Sequence, residues 1–454
     1  MKIFRSKAPQ PKSDMNFTIP LFDNFKLDNG IQSYFIQKKD LPIINLSFIL
    51  NTGSKSDPIS KKGLANLLSL CIDEGAGNFN ALQLAEEFDL RGASYSIHTN
   101  NDITTLSLQV LSEHFDDTLK LLADIILFPH LKEEDFNRER RKISTRILQL
   151  QDEPDYIANS AFEYLLFGKE NAYAHPVSGF PADLSRLDVS DLRNFYNDFF
   201  SQGNSAIVIA GNIDDEKLKN LLNINFGRWQ NIFRQQDFPN FFPDTKNQVF
   251  VIDKKHSVQT EIRTGHLTSK RNQDDYYKKL VLNSILGGQF TSRINMNLRE
   301  KYGYTYGAYS RFNYYKDNAF FYVSTSVNTE NTFPAMSEIF SEIEGIHKGV
   351  TKEELIFAKS SITKKYPSNF ETCSHLASNL INKLVFDLPD DYFNTYIENI
   401  NNVSLEDVDQ AAIASIHPEN TITILVGDRK ELEKYLTSDR FGKVIFLKYD
   451  ELFA

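Results

Sequence analysis

One order of elements occurs twice in this chain of 454 residues, and that repetition constrains the fold more than composition does. In the first copy, "INLSFILNTG" alternates apolar and polar residues up to a turn, which predicts a strand. "SKKGLANLLSLCIDEG" then places Leu64, Leu67, Leu68 and Cys71 on one helical face, with Gly75 as the stop. "ALQLAEEFDLRG" predicts a short helix, and "ASYSIHTNNDITTLSLQVL" a hairpin turning at Asn-Asn-Asp. "SEHFDDTLKLLADIILFP" predicts an amphipathic helix with a Ser cap, and "KEEDFNRERRKISTRILQLQ" a longer, charged one. In the second copy "YKKLVLNSILGG" stands where "GLANLLSLCIDEG" stood, and "MNLREKYGYTYGAYSRFNYYKDNAFFYVSTSV" mirrors the hairpin segment. "FPAMSEIFSEIEGIHKGVTKEELIFAKSSITKKY" repeats the two helices, and the copies close on "SAIVIAGNID" and "TITILVGDRK".

The expected fold is α+β: two tandem homologous halves, each a mainly antiparallel sheet packed with helices. An N-terminal arm (1–20) precedes the first half (21–228), a Pro-, Gln- and Asn-rich joint (229–248) follows it, and the second half is 249–454. A net charge of −10 argues against nucleic acid, and the one basic stretch, "NRERRKISTR", spreads around several faces of a helix. Cys71 and Cys373 permit at most a single bridge and no zinc cluster. No apolar run approaches the ~18 residues of a membrane span. The N-terminal stretch lacks the apolar segment of an export signal. The sequence as it stands reads as soluble and cytoplasmic, or periplasmic if a signal has been removed, and it does not name the compartment.

With "NTGSKSDP", "KKGLANLL", "NAYAHPVSGFP", "AGNID" and "LGGQFTSRINMNLREKYGYTYGAYS", the order of elements resembles the pitrilysin-like, or insulinase-type, zinc peptidases. The match is to their short-chain branch, which includes the mitochondrial processing peptidase and bacterial two-subunit relatives. It runs from Asn24 to the C-terminus and is most specific over 286–310. The resemblance implies half of a clamshell dimer. In catalytic members the helix after the first strand carries an inverted His-x-x-Glu-His motif. Two His one turn apart hold Zn²⁺, the Glu deprotonates its water, and a Glu on the later charged helix is the third ligand.

Aligned on Gly63-Leu64-Ala65, the first His position is Asn66, the Glu is Ser69 and the second His is Leu70. The Glu-Arg pair of the later helix matches Glu139-Arg140, and the ligand position seven residues beyond Glu139 is Arg146, a cation where the metal would sit. No catalytic residue, metal or other cofactor is therefore expected in this chain. None of the nine His forms a His-x3-His pair, and His175 matches a family His-Pro that lies off the metal. No Gly-x-Ser-x-Gly elbow offers a different hydrolase.

"LREKYGYTYGAYS" keeps Arg299 and Tyr306. The resemblance assigns this pair to substrate contact near the scissile bond, where a guanidinium grips a peptide carbonyl and a phenol stabilises an oxyanion. Gly287 and Gly288 match the stretch whose longer glycine loop contacts the precursor in the processing peptidase; here the loop is short and suits a helix C-terminal turn. Of the 36 Phe and 20 Tyr, Phe312, Tyr314, Tyr315, Phe320, Phe321 and Tyr322 cluster beyond the pair. Alternation divides them between core and an outward set fit to line a chamber. The expectation is a non-catalytic subunit of a heterodimeric zinc metalloendopeptidase, inactive alone, whose partner is a zinc-bearing catalytic homologue and whose substrates are unfolded or short peptides. Two other readings share the sequence: a structural subunit, as in the core proteins of the respiratory bc1 complex, and a stand-alone peptide-binding homodimer.

Overall fold

A computed structural model describes residues 19–231, 233, 242, 243, 247–435 and 441–452; almost all of the expected arm and much of the joint lie outside them. The first half builds a sheet from β1 (Asp23–Lys26), β2 (Gln32–Gln37), β3 (Ile43–Leu50), β6 (Ser94–Thr99), β7 (Thr104–Leu111) and β8 (Ser205–Gly211). A two-residue ribbon, β4 (Gly75–Ala76) with β5 (Phe79–Asn80), stands apart. The second half uses β9 (Gln248–Asp253), β10 (Gln259–Leu267), β11 (Ala308–Tyr314), β12 (Ala319–Asn328), β13 (Ile422–Gly427) and β14 (Lys443–Leu447). The orders are β1-β2-β8-β3-β7-β6 and β14-β9-β13-β10-β12-β11. Five strands correspond one to one, including the parallel pairs β2–β8 and β9–β13. The sixth does not: β1 joins antiparallel from the N-terminal side, whereas β14 joins parallel from the C-terminal side.

Local chemistry accounts for the elements. The Asn-Asn-Asp turn forms because the Asn100 side chain accepts from the amides of Asp102 (2.8 Å) and Ile103 (2.9 Å), which reverses the chain between β6 and β7. Ser112 is not the helix cap expected of it. Its hydroxyl donates to the Asn212 carbonyl (2.7 Å), and the helix Phe115–Leu127 begins after a short 3₁₀ turn. Both cysteines are free, so the single permitted bridge does not form. Burial pushes the Cys71 thiol well above its ordinary range, which leaves it inert as a nucleophile.

The alternation in β3 is real, yet Asn45 and Ser47 are buried along with Leu46 and Phe48. Both faces of the central strands are covered. On one face Leu46 and Phe48 pack with Leu67, Leu68, Leu119 and Leu122 of the first half's own helices. On the other, Ile36, Ile49, Val208 and Ala210 meet Leu376, Ala377 and Leu380 of the helix Cys373–Val385, which belongs to the second half of the sequence. The exchange is mutual. Ile157, Ala161 and Phe162 of the helix Pro154–Phe167 pack on Phe250, Ile252, Ile424 and Val426 of the second sheet. Each of the Ile, Leu, Val and Phe side chains is worth roughly 1.5–3 kcal/mol when fully buried, so the exchanged helices contribute heavily to both cores.

A buried polar junction fixes the halves in register. Lys55 donates to Asp102 (2.9 Å) and to Asp317 (3.0 Å), while the Tyr173 hydroxyl donates to Asp102 (2.6 Å) and Asp317 (3.1 Å). The Lys316 amide completes Asp102 (2.8 Å), and Tyr315, stacked on Tyr173, donates to Glu163 (2.9 Å). Desolvation raises the Glu163 carboxyl to about 7.

Candidate functional site

The helix Leu64–Cys71 starts at Gly63, whose φ of +92° and tight approach to the Ser178 carbonyl suit only glycine. Its free amides are capped from outside. Asp57, in the preceding turn, accepts from the amides of Gly63 (2.7 Å) and Ala65 (2.8 Å). Burial lifts its carboxyl to about 7 even with Lys62 beside it.

Within this helix the motif positions do not fit a metal. The Ser69 hydroxyl is buried and donates back to the Asn66 carbonyl (2.7 Å), and Leu70 offers no donor atom. The helix Glu133–Leu150 packs alongside. Its Glu139 is buried and accepts from Lys142 (2.7 Å) and Arg138 (3.1 Å). Arg146 is exposed and forms no ion pair among the described residues. The cation that meets the local acids is Arg138, which no sequence motif singles out. It also binds Glu74 (2.6 Å) and Asp135 (2.6 Å). An amide, a hydroxyl turned inward, an aliphatic chain and a guanidinium are not a zinc donor set. Among the described residues no cluster of three or more His, Cys, Asp or Glu is arranged to hold a metal.

His175 is half-buried in the same region, donates its Nε2–H to the Lys169 carbonyl (2.9 Å), and is held neutral by desolvation, with its pKa lowered to about 4. His98 is exposed on β6.

The second half presents the segment 286–310 differently. Gly287 ends the helix Tyr276–Leu286, and it and Gly288 both donate to the Asn283 carbonyl. A Cβ on Gly287 would lie 2.4 Å from the Ser310 hydroxyl, so glycine lets the helix end close against β11. Asn295, fully buried, donates to the Phe290 carbonyl (2.6 Å) and accepts from the Ala308 amide (3.1 Å). Arg293 clamps Glu354 through two bonds (2.6 and 2.7 Å). These two positioning residues were not distinguished in the sequence, because their partners lie on other elements.

On that scaffold a wide turn over Met296–Lys301 carries Arg299. Its guanidinium lies over Phe290, 4.5 Å from the ring centroid, and makes only a 3.5 Å contact with Glu300. Such an exposed pair is worth at most about 1 kcal/mol, which leaves the fork open to another acceptor. Tyr306 is 91 % exposed, so it is not a packed core aromatic. Phe290, Met296, Tyr302 and Tyr309 of the same segment are also exposed. Aromatic, Met and Arg side chains of this kind are enriched where proteins bind one another.

Two cavities flank the helix Cys373–Val385 and share Ile381. One, about 480 Å³, runs over β6, β7 and β3 and is lined by Asn45, Ser47, Ser94, Ser96, His98, Ser107 and neighbouring side chains. The other, about 530 Å³, lies beyond the β6–β7 turn and is lined in part by Phe312, Tyr314 and Tyr315. The aromatic cluster thus divides: those three line a cavity, and Phe320 and Phe321 are core.

Comparison with known proteins agrees with this geometry. Residues 36–173 match the family described as Insulinase (Peptidase family M16), and residues 186–362 match its Peptidase M16 inactive domain. The chain belongs to the insulinase family. An uncharacterized zinc protease of Rickettsia felis is 27 % identical over 342 residues, covering 75 % of this chain and 82 % of that protein. The non-peptidase homolog YmxG of Helicobacter pylori is 24 % identical over 387 residues, covering 84 % and 88 %. Among solved structures, a peptidase M16 inactive domain from Pseudomonas fluorescens superposes with a TM-score of 0.84 at 21 % identity, over 90 % of this chain and 98 % of that one. A protease from Helicobacter pylori gives 0.83 at 20 %, over 90 % and 100 %. Both structures share the fold of this chain. No helix among the described residues is long and apolar enough to cross a membrane.

Proposed function

We propose that this chain is the non-catalytic, substrate-binding subunit of a heterodimeric zinc endopeptidase, with Arg299 and Tyr306 completing the active site of a zinc-bearing homologue. The observation that carries the reading is complementarity: a peptidase fold whose first helix holds Asn66, Ser69 and Leu70 at the motif positions, together with Arg299 on a buttressed turn and an exposed Tyr306 beyond it. Arg299 would donate from its fork to the scissile carbonyl, and the Tyr306 hydroxyl would donate to the oxyanion that develops there. Zinc and its water would be the partner's contribution.

The first sheet supports peptide capture. β6 ends that sheet, and among the described residues no backbone hydrogen bond is made on its outer side. An extended peptide can add there as a further strand beside the hydroxyl-lined cavity.

The test is reconstitution with a homologue that carries His-x-x-Glu-His. The expected outcome is hydrolysis of an unfolded peptide by the pair and by neither chain alone, with zinc near one per pair and near zero in this chain by elemental mass spectrometry. Arg299→Ala and Tyr306→Phe are expected to leave assembly intact and to lower kcat about 10²–10³-fold, the scale of a lost oxyanion donor. Full activity in both variants would make the pair structural. Self-association with unaided peptide binding would favour the stand-alone homodimer.

A further inference from the structure

The larger cavity contains a charge that the fold does not neutralise. Arg271 lies in its wall and is 8 % exposed. One guanidinium nitrogen donates to the Tyr392 hydroxyl (2.7 Å), the Tyr276 hydroxyl stands beside it, and the group lies over the rings of Tyr276 and Tyr392. None of the acids nearby forms an ion pair with it among the described residues, and most are engaged elsewhere, although one oxygen of Asp275 is buried without a hydrogen bond. Asp102 is taken by Lys55, Tyr173 and the Lys316 amide, and Asp275 by Lys279 (3.0 Å) and Ser269 (2.7 Å). Asp390 is taken by Lys383, Asp387 lies 3.7 Å from Lys316, and Asp391 is exposed. The tyrosines do not supply the missing charge, since burial pushes Tyr276, Tyr314 and Tyr392 up and keeps them neutral.

A guanidinium stays charged at any pH a protein survives, and burying it without an anion is costly. Ring faces and a phenol return part of that cost. The rest of its donor fork has the shape of a carboxylate. The surroundings favour a singly charged group on an organic body: one cation, amides from Asn101, Asn313 and Asn382, and the rings of Phe312 and Tyr314. The volume lies within the ~300–1,000 Å³ of small-molecule sites.

Position identifies the source of the carboxylate. The cavity begins where β6 ends, at Asn100–Ile103, and shares Ile381 with the groove over that strand. A peptide laid on β6 would run about 20 Å along its six residues before reaching the cavity. We infer that this cavity binds the free α-carboxylate of a peptide, with Arg271 as the anchor and the Phe312/Tyr314 wall receiving the terminal side chain. The inference rests on the peptide-binding reading above, and adds to it a preference for one chain end.

Isothermal titration of the full chain with N-acetyltyrosine and with its amide tests the cavity without using the β6 groove. The acid is expected to bind at least about tenfold more tightly than the amide, the scale of one lost charge-assisted bond. Arg271→Lys, which keeps the charge and loses the fork, and Asn382→Trp, which fills the cavity from an exposed helical position, are each expected to remove that preference while the circular-dichroism melt is unchanged. Equal binding of acid and amide, or undiminished acid binding by Asn382→Trp, would overturn the inference, as would inorganic phosphate displacing the acid more strongly than acetate does. A nonapeptide ending in tyrosine separates the two readings. If it binds no more tightly than N-acetyltyrosine, the β6 groove fails and the carboxylate cavity stands; if it binds tightly but equally well as its amide, the groove stands and the cavity fails.

Discussion

Strands β6 and β11 occupy the same edge of two matching sheets, and they treat that edge in opposite ways. On β6 the outer backbone groups are open, and the strand leads into two cavities. On β11 the outward amides of Ala308 and Ser310 are already taken by the Asn295 side chain and the Gly287 carbonyl. An exposed edge invites any extended chain, and a covered one does not. The duplicated fold has thus kept its architecture in both copies. The first copy keeps an open edge beside a helix whose Asn66, Ser69 and Leu70 make no zinc donor set; the second gives up its edge to hold the Arg299 turn steady.

The comparison can be broken most severely by separating the halves. Because each sheet has a face covered by the other half's helix, fragments 21–228 and 249–454 expressed alone are expected to be unfolded by circular dichroism and to recover structure only when mixed. An independently folded fragment would show that the exchanged helices are dispensable. Next comes the junction: Lys55→Ala leaves Asp102 buried without its cation and is expected to cost about 3–5 kcal/mol in urea unfolding. Lys316→Ala, which removes only a partly exposed contact, is expected to cost under about 1 kcal/mol.

A smaller effect tests why the second edge is closed. Gly287→Ala places a methyl against Ser310 and is expected to cost about 1–3 kcal/mol, read as a lower melting temperature. The same junction carries a pH signature. The folded pKa of Glu163, about 7, lies above the ordinary glutamate value of 4.5, so its contribution is fully present below about pH 4.5 and is lost as pH rises through 7. Glu163→Gln is expected to flatten the decline in unfolding free energy between pH 5 and pH 8; an unchanged slope would place the titration elsewhere. The smallest effect on stability belongs to the displayed pair. Arg299→Ala and Tyr306→Phe are expected to stay within about 0.5 kcal/mol of the parent, as surface substitutions do.

Much of this was legible in the sequence because it is written locally. The repeat, the Asn-Asn-Asp hairpin and the helical face of Leu64, Leu67 and Leu68 follow from periodicity and turn chemistry. The reading of Asn66, Ser69 and Leu70 as replaced ligands has another source, the family resemblance that supplies the motif; the structure adds that the Ser69 hydroxyl is turned back to the Asn66 carbonyl. What was not legible depends on partners far along the chain. Asn45 and Ser47 alternate with apolar neighbours as on a half-exposed strand, and only the arrival of a helix from residues 373–385 explains their burial. Ser112 had a capping pattern but a better acceptor 100 residues away. Arg146 stood at the aligned ligand position, while Arg138, two turns earlier, is the one that meets Glu74, Asp135 and Glu139. Arg271 gave no signal, because its cavity is assembled from segments near residues 100, 271, 312 and 392.

The exchange of helices has a consequence for how the chain tolerates damage. Two units that each lend a helix to the other have the geometry of a swapped pair of subunits joined end to end. The covalent connection between Trp229 and Asn247 is then a tether, and the clasp is made by the helices Pro154–Phe167 and Cys373–Val385. A protease that cuts the tether would leave two pieces that migrate together through a sizing column and part only in denaturant.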